Sequence, residues 1–586
     1  MTRTALSLVV VAAAVSACSS WTPPPPPPEA HVIPPMPVEG FGTPRKIDKH
    51  AANTPAEKFA VLRDRVLDAW LADEPSMGRE LGLHEWDGRV PKCDAASLTA
   101  RYARITKERA ELAAFDKVKL SPDDKLDLLL LESQADMYLF KGAELQKWKK
   151  EPQWYEDLFS VNVYLDRDYA PVAERAARLL QHERAALAEI PNIRKNLVGP
   201  MSKPVVDTAI KIYRGYASYL RADVLSQVKG VGAPDFQEEL AKTNEALAKE
   251  ATALADWLEK TELPRGDDSH ILGPKRFKHL LHAQEGLDIS LAEFKKMGED
   301  NLQANKRAYE KLVGKAHFTR PKVEELFGAG GRIMEAARQF VVAKHFATIP
   351  TDDKAVVRET PPYQRWNSAF LDMPGPYESR VGASFYYITL PDPKWSKKEQ
   401  ADYLMPMGIL LSTTIHETYP GHFLQGQWVK RAPTRAQKMI GSYSFIEGWA
   451  HYGEQAMIEL GFGADDPQNQ LGQLSDALLR NCRLVVSLGI HTEHMTLKQA
   501  EQRFMNDCKQ DKATAREQAV RGTFDPGYFA YTLGKLQILA LRDEAKKKLG
   551  AKFDLGKFHD ELLSHGSPPV PLIHDRVLAD LEAAAR

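Results

Sequence analysis

The sequence predicts a mainly α-helical protein with one short β element. Apolar residues recur at helical spacing over long stretches, Gly and Pro sites interrupt them, and one aromatic, β-branched segment reads as a strand. The helical period begins near Pro55, where Phe59, Leu62, Val66 and Trp70 mark one face. It returns over 128–138, 172–197 and 236–258, with breaks at Gly199-Pro200, Gly230-Val231-Gly232 and Gly273-Pro274. No fixed repeat length is visible, so a solenoid is not expected. The strand is the run Ala383 to Thr389, closed by Pro391. It either pairs with an extended peptide by strand addition or belongs to a sheet core.

Composition narrows the class. An apolar fraction of 43% and a charged fraction of 27% over 586 residues suit a folded globular chain. The 78 basic and 79 acidic side chains nearly cancel, which excludes broad electrostatic capture of nucleic acid or of an anionic membrane. Charges recur throughout after the first twenty residues, which excludes a multi-spanning membrane protein. Cys18, Cys93, Cys482 and Cys508 include no C-x-x-C pair and are too few for a disulfide scaffold.

The N-terminus reads as an address. Arg3 precedes a short apolar run, Ala5 to Val15, that is too short to span a bilayer comfortably. Val15-Ser16-Ala17-Cys18 resembles the bacterial lipobox, which implies a signal peptide over 1–17 and acylation of Cys18; an ordinary secretory signal cleaved nearby is the alternative. Ser19 follows the cysteine, and by resemblance to lipoprotein sorting this implies the periplasmic face of the outer membrane. With Cys18 so used, at most one disulfide can form among the other three cysteines. Pro23 to Pro28 and further prolines at 34, 35 and 37 favour polyproline II, so 18–45 is expected to be a semi-rigid stalk. An N-terminal helical region is then expected over 46–295 and a C-terminal catalytic region over 296–586.

The chemistry concentrates between 416 and 454. His416-Glu417-Thr418-Tyr419-Pro420-Gly421-His422 looks like the zincin motif H-E-x-x-H with two residues inserted. On a regular helix, positions i and i+6 point about 120° apart with roughly 9 Å of rise, so two such imidazoles cannot share a metal. Pro420 breaks the backbone ladder and Gly421 permits conformations closed to other residues, so together they can return His422 towards His416. The third ligand is expected from Glu447-Gly448-Trp449-Ala450-His451-Tyr452-Gly453-Glu454, where Glu447, His451 and Glu454 share one helical face. Glu447 is the expected ligand and Glu454 an acceptor that fixes an imidazole tautomer. His451 is either a pocket residue or a half-exposed helical histidine. Two histidines and a carboxylate in this pattern point to Zn²⁺.

These motifs resemble the bacterial domain of unknown function 885 family, grouped with the zincin-like metallopeptidases, and the Glu447 helix resembles the ligand helix of the gluzincin aminopeptidases. The resemblance extends to Gly82-Leu83 with Trp86-Asp87, to Arg483–His491 and to Pro526–Arg542. It implies a large helical zincin-like fold with a deep cleft and the β element beside the active site. It further implies a zinc metallopeptidase acting on peptides, with His416, His422 and Glu447 as ligands and Glu417 as general base. Tyr531, favoured over Tyr528 by family position, and His491 are the expected groups facing the substrate carbonyl. His491 reads equally as a helix-end histidine bonded to backbone, and Tyr528 and Tyr531 equally as core aromatics. Arg542 either holds a carboxylate or makes a structural ion pair. The chain has Ser487 where the family often has Asp, and His451 where it often has Leu. Two other readings share the site: a zinc amidase acting on cell-wall peptides, and a non-catalytic peptide-binding lipoprotein.

Overall fold

The computed structural model describes residues 54–361, 364–365, 368–378 and 383–586. Cys18, the signal segment and the stalk lie outside them. The first helix, α1 (Pro55–Asp73), starts at an N-cap Thr54 that closes a capping box with Glu57, and Pro55 sits where its missing N–H costs nothing. Phe59, Leu62, Val66 and Trp70 are all buried on its inner face, as the spacing predicts. Full burial of each such side chain contributes roughly 1.5–3 kcal/mol. Further N-terminal helices include α2 (Pro122–Tyr138), capped by Ser121, and α3 (Val172–Glu189). Next come α4 (Leu291–Leu312) and α5 (Leu326–Ala343). The expected boundary at 295 falls inside α4, which runs through it as one helix.

A small sheet follows α5, built from β1 (Ala355–Glu359), β2 (Ala369–Asp372) and β3 (Ser384–Ile388) in the order β1-β3-β2. The strand read from the sequence is β3, and it is central: parallel to β1, with Tyr387 opposite Arg358, and antiparallel to β2, with Tyr387 opposite Phe370. Both its backbone edges are used, so it has none left for an extended peptide, and the sheet-core reading is the one that holds. Its inner residues Tyr386 and Ile388 bury against Leu326 and Leu410.

Six later helices surround the candidate site: α6 (Met407–Glu417), α7 (His422–Val429), α8 (Tyr443–Glu459), α9 (Pro467–Thr492), α10 (Lys512–Phe524) and α11 (Ala530–Leu549). Helix α9 is buried along nearly its whole length, packing on α4 and α6, while α8 packs on α11. One hydrophobic core joins Phe59, Leu128 and Leu247 to Trp449, Ile538 and Val577, so both halves of the chain share it. A second core holds Phe277, Phe294, Leu484 and Phe529. Cys482 on α9 is bonded to Cys508, and Cys93 is free and buried.

Glu183 on α3 is fully buried, and among the described residues neither of its oxygens has a hydrogen-bond partner. Burial alone pushes its carboxyl up to about 8. The folded chain therefore keeps a proton that the unfolded chain releases above about pH 4.5, so Glu183 costs stability progressively as pH rises towards 8. Glu183→Gln is expected to raise the melting temperature by several degrees at pH 8.5 and to leave it nearly unchanged at pH 5. Thermal denaturation of both proteins at the two pH values checks this.

Candidate metal centre

The site begins where α6 ends. The amide and hydroxyl of Thr418 both bond the Thr414 carbonyl, at 2.9 and 2.6 Å, which closes the last turn. The Tyr419–Pro420 peptide is cis, and α7 then starts at His422. The two histidines thus lie on two helices, one at the end of the first and one at the start of the second. Their rings come to 4.7 Å between centroids, at 80°. The expected return of His422 is realised, but Gly421 serves it differently from the expectation. Its φ is −68°, outside the left-handed region, and what the position requires is space, because a Cβ there would overlap the His416 carbonyl. The Pro420 carbonyl accepts a 2.7 Å bond from the indole of Trp449, which fastens the break to α8.

Helix α8 starts at the N-cap Ser442 and brings Glu447 in on its second turn. Glu447 Oε2 lies 3.2 Å from His416 Nε2 and 3.5 Å from His422 Nε2. The three donor atoms all fall within 4.8 Å of one another. Close approach of α8 to α11 assists: a Cβ on Gly448 would lie 2.5 Å from the Gly534 Cα. That contact holds Tyr531, a turn earlier on α11, with its ring stacked on His416 at 6.3 Å. On the other side, Tyr386 of β3 bonds Thr414 at 3.2 Å, two residues before His416.

Behind the centre lies a buried charge network. Glu454 Oε1 accepts from His416 Nδ1 at 2.7 Å, which leaves Nε2 as the nitrogen facing Glu447. Glu454 Oε2 meets Arg480 at 2.9 Å and His451 at 3.1 Å. Burial pushes the Glu454 carboxyl up, but Arg480, His451 and His416 outweigh it and hold it well below the usual range. For His416, burial and Arg480 act downward, yet the two carboxylates lift it to about 9. Buried Lys535 has no hydrogen-bond partner among the described residues, and burial lowers it to about 8.

This arrangement fits a cation. Two imidazole nitrogens and a carboxylate oxygen converge, all of them acceptors when metal is bound, and only positive charge among them relieves their mutual repulsion. Nitrogen and oxygen donors in this number suit Zn²⁺.

Other expected residues fall in different places. Glu417 is buried, and among the described residues its carboxylate has no hydrogen-bond or ion-pair partner. Tyr528 is a core residue bonded to the Gln518 carbonyl at 3.4 Å. His491 lies fully buried against Phe277, with Nε2 bonded to the Gly522 carbonyl at 2.8 Å. It is eight residues beyond Arg483 on α9, roughly 12 Å along the axis, so the structure does not bring it to the centre. His451 is fully buried rather than half-exposed. Arg542 makes a structural pair with Glu459 at 3.5 Å, and Ser487 donates to the Pro526 carbonyl at 2.6 Å. Sequence reasoning missed Arg480, Arg483 and Arg521. The signal for the first two was there: cations three residues apart on a helix, directly before the apolar run Leu484-Val485-Val486.

With this geometry in place, the class is a helical protein with a His₂Glu metal-type centre. The chain belongs to the bacterial protein family of unknown function DUF885, whose profile matches residues 75–577. A candidate lipoprotein of unknown function from Shewanella oneidensis is similar to it, with a TM-score of 0.72 at 23% identity, covering 89% of this chain and 99% of that one. One from Colwellia psychrerythraea gives 0.72 at 18% identity, covering 90% and 100%. The M32 carboxypeptidase of Deinococcus radiodurans R1 is more distant, at a TM-score of 0.38 and 11% identity, over 90% and 99%. No curated protein matches the sequence. Among the described residues no helix is long and apolar enough to cross a membrane.

Purified protein is expected to hold about one zinc per chain. His416→Ala, His422→Ala and Glu447→Ala should each lose most of it, whereas His451→Leu should keep it. Elemental analysis after dialysis checks the assignment, and full zinc in Glu447→Ala would overturn it.

Proposed function

We propose that the protein is a zinc metallopeptidase anchored to the cell envelope through Cys18. The observation that supports the reading is the convergence of His416, His422 and Glu447, with the carboxylate of the adjoining residue Glu417 lacking a hydrogen-bond partner among the described residues. Bound there, zinc would polarise a peptide carbonyl and ease deprotonation of water. Glu417 directly follows a ligand, so its side chain points about 100° away from that of His416, a direction that suits a group flanking the centre better than one completing it. Its carboxylate accepts the proton of the attacking water and passes it to the leaving amine. Burial, and then the charge of Glu447, keep the Tyr531 phenol protonated, so it can donate to the carbonyl oxygen as negative charge develops. Glu454 orients His416, and Arg480 balances Glu454. His491, held by the Gly522 carbonyl, has no part in this scheme.

The anchor rests on the Val15–Cys18 motif, and the candidate lipoproteins of the same fold support it. Several acyl chains would hold the mature chain stably, each buried methylene contributing about 0.8 kcal/mol. Intact-mass analysis of detergent-extracted protein is expected to show a lipidated chain beginning at residue 18. A soluble product beginning elsewhere would remove the anchor.

Glu417→Gln keeps shape but cannot accept a proton as a base. The variant is expected to retain zinc and lose roughly 10²–10⁴-fold in turnover of a cleaved peptide. Zinc content and turnover are measured on one preparation, and near-normal turnover in the zinc-replete variant would sink the mechanism.

A further inference from the structure

Positive charge gathers around Tyr531, and among the described residues one part of it has no ion-pair partner. Arg480 is tied to Glu454 at 2.9 Å. Arg521 is tied to Asp525 at 3.0 Å and donates to the Tyr443 hydroxyl at 2.8 Å. Arg483 differs from both. Its Cζ lies over the Tyr531 ring at 4.5 Å, and its Nε donates to Gln518 at 2.9 Å. Among the described residues no carboxylate forms an ion pair with it. Glu517, next to Gln518 on α10, lies within electrostatic reach of Arg483, but it is exposed and forms no ion pair with it. Arg483 itself is only 8% exposed. A guanidinium taken out of water without an anionic partner is costly, and neither an aromatic face nor one amide oxygen replaces a carboxylate.

Its position relates this deficit to the chemistry. Centroid steps of 6.3 Å and 4.5 Å lead from the His416 ring through the Tyr531 ring to the guanidinium carbon. In a peptide, the next carbonyl group lies about 3.8 Å beyond the one before it, and a hydrogen bond to nitrogen adds about 2.9 Å. A carboxylate one or two residues from the reacting carbonyl therefore falls on the scale of these steps. A planar guanidinium matches a carboxylate through two parallel N–H bonds, which a lone cation would not.

We propose that Arg483 is a specificity-determining residue of this centre, receiving a carboxylate of the peptide substrate beside Tyr531. The proposal rests on the peptidase reading for the name of its substrate, and it adds the chemical feature by which that substrate is chosen. Two groups carry that chemistry: the free α-carboxylate at the end of a chain, and an acidic side chain next to the scissile bond.

Binding and hydrolysis are read separately. Three N-blocked peptides of one sequence are used: a free C-terminal acid, its amide, and an amide with glutamate at the last position. Affinities are measured by calorimetry on zinc-loaded Glu417→Gln protein, with and without Arg483→Gln. At least one carboxylate peptide is expected to bind about ten-fold tighter than the plain amide. Which one does so identifies the source. Arg483→Gln should erase the preference and Arg483→Lys restore part of it, with zinc content unchanged. Equal affinity of all three peptides for protein carrying Arg483 overturns the proposal, and this comparison needs no variant at that position. A preference that survives Arg483→Gln in a folded, zinc-loaded protein also overturns it. Hydrolysis of the same peptides by wild-type protein tests the peptidase reading. If none is cleaved while the preference is present, that reading fails and Arg483 stands as a carboxylate anchor. If all are cleaved with equal kcat/KM, the reverse holds.

Discussion

The carboxylate of Glu454 is the point on which the centre depends. It sits on α8 without solvent exposure and receives His416 from α6 and Arg480 from α9, besides His451 of its own helix. A buried carboxylate is tolerable only when its lone pairs are filled and its charge is matched, and here both conditions require three helices at fixed distances. Satisfying Glu454 therefore fixes the angle between α6 and α8, and with it the gap in which His416, His422 and Glu447 meet. The break between α6 and α7, tied down by Trp449, completes the set. Geometry at the metal position thus follows from electrostatic demand one layer behind it.

Much of this was legible in the sequence, and the reasons differ by element. The helices were readable because burial imposes a 3.6-residue period, as on the face of Phe59, Leu62, Val66 and Trp70. The convergence of His416, His422 and Glu447 was readable because metal chemistry restricts residue type and because Pro420-Gly421 offered a way to correct a spacing that fails on a straight helix. Glu454 followed from its place on the Glu447 face. The rest depended on tertiary contacts that no local pattern encodes. His491 and Tyr528 have residue types suited to catalysis, and only packing decides that they enter a core. Whether the strand 384–388 lies at an edge or in the centre depends on partners 29 residues upstream. The arginines of α9 left a visible signal, but the acids and phenols that give them meaning come from α8, α10 and α11.

The two halves of the chain are not separate in energetic terms. The main core runs from Phe59 to Val577, so helices far from the candidate centre contribute to the rigidity of those that form it. Tyr386 adds a small tie from the sheet to α6, close to His416. A centre whose ligands come from three helices needs that support, because a displacement of one ångström between helices is enough to spoil coordination.

The Cys482–Cys508 bond makes the surroundings of the centre sensitive to redox conditions. Cys482 lies between Arg480 and Arg483 on one turn of α9, so the covalent link is anchored among the charges that surround the centre. Such links persist in oxidising compartments and are kept open by cytosolic reductants. Inside the cytoplasm that turn would be held by packing alone. In an oxidising compartment it becomes cross-linked, so the surroundings of the centre take their last form only where the Cys482–Cys508 bond can form.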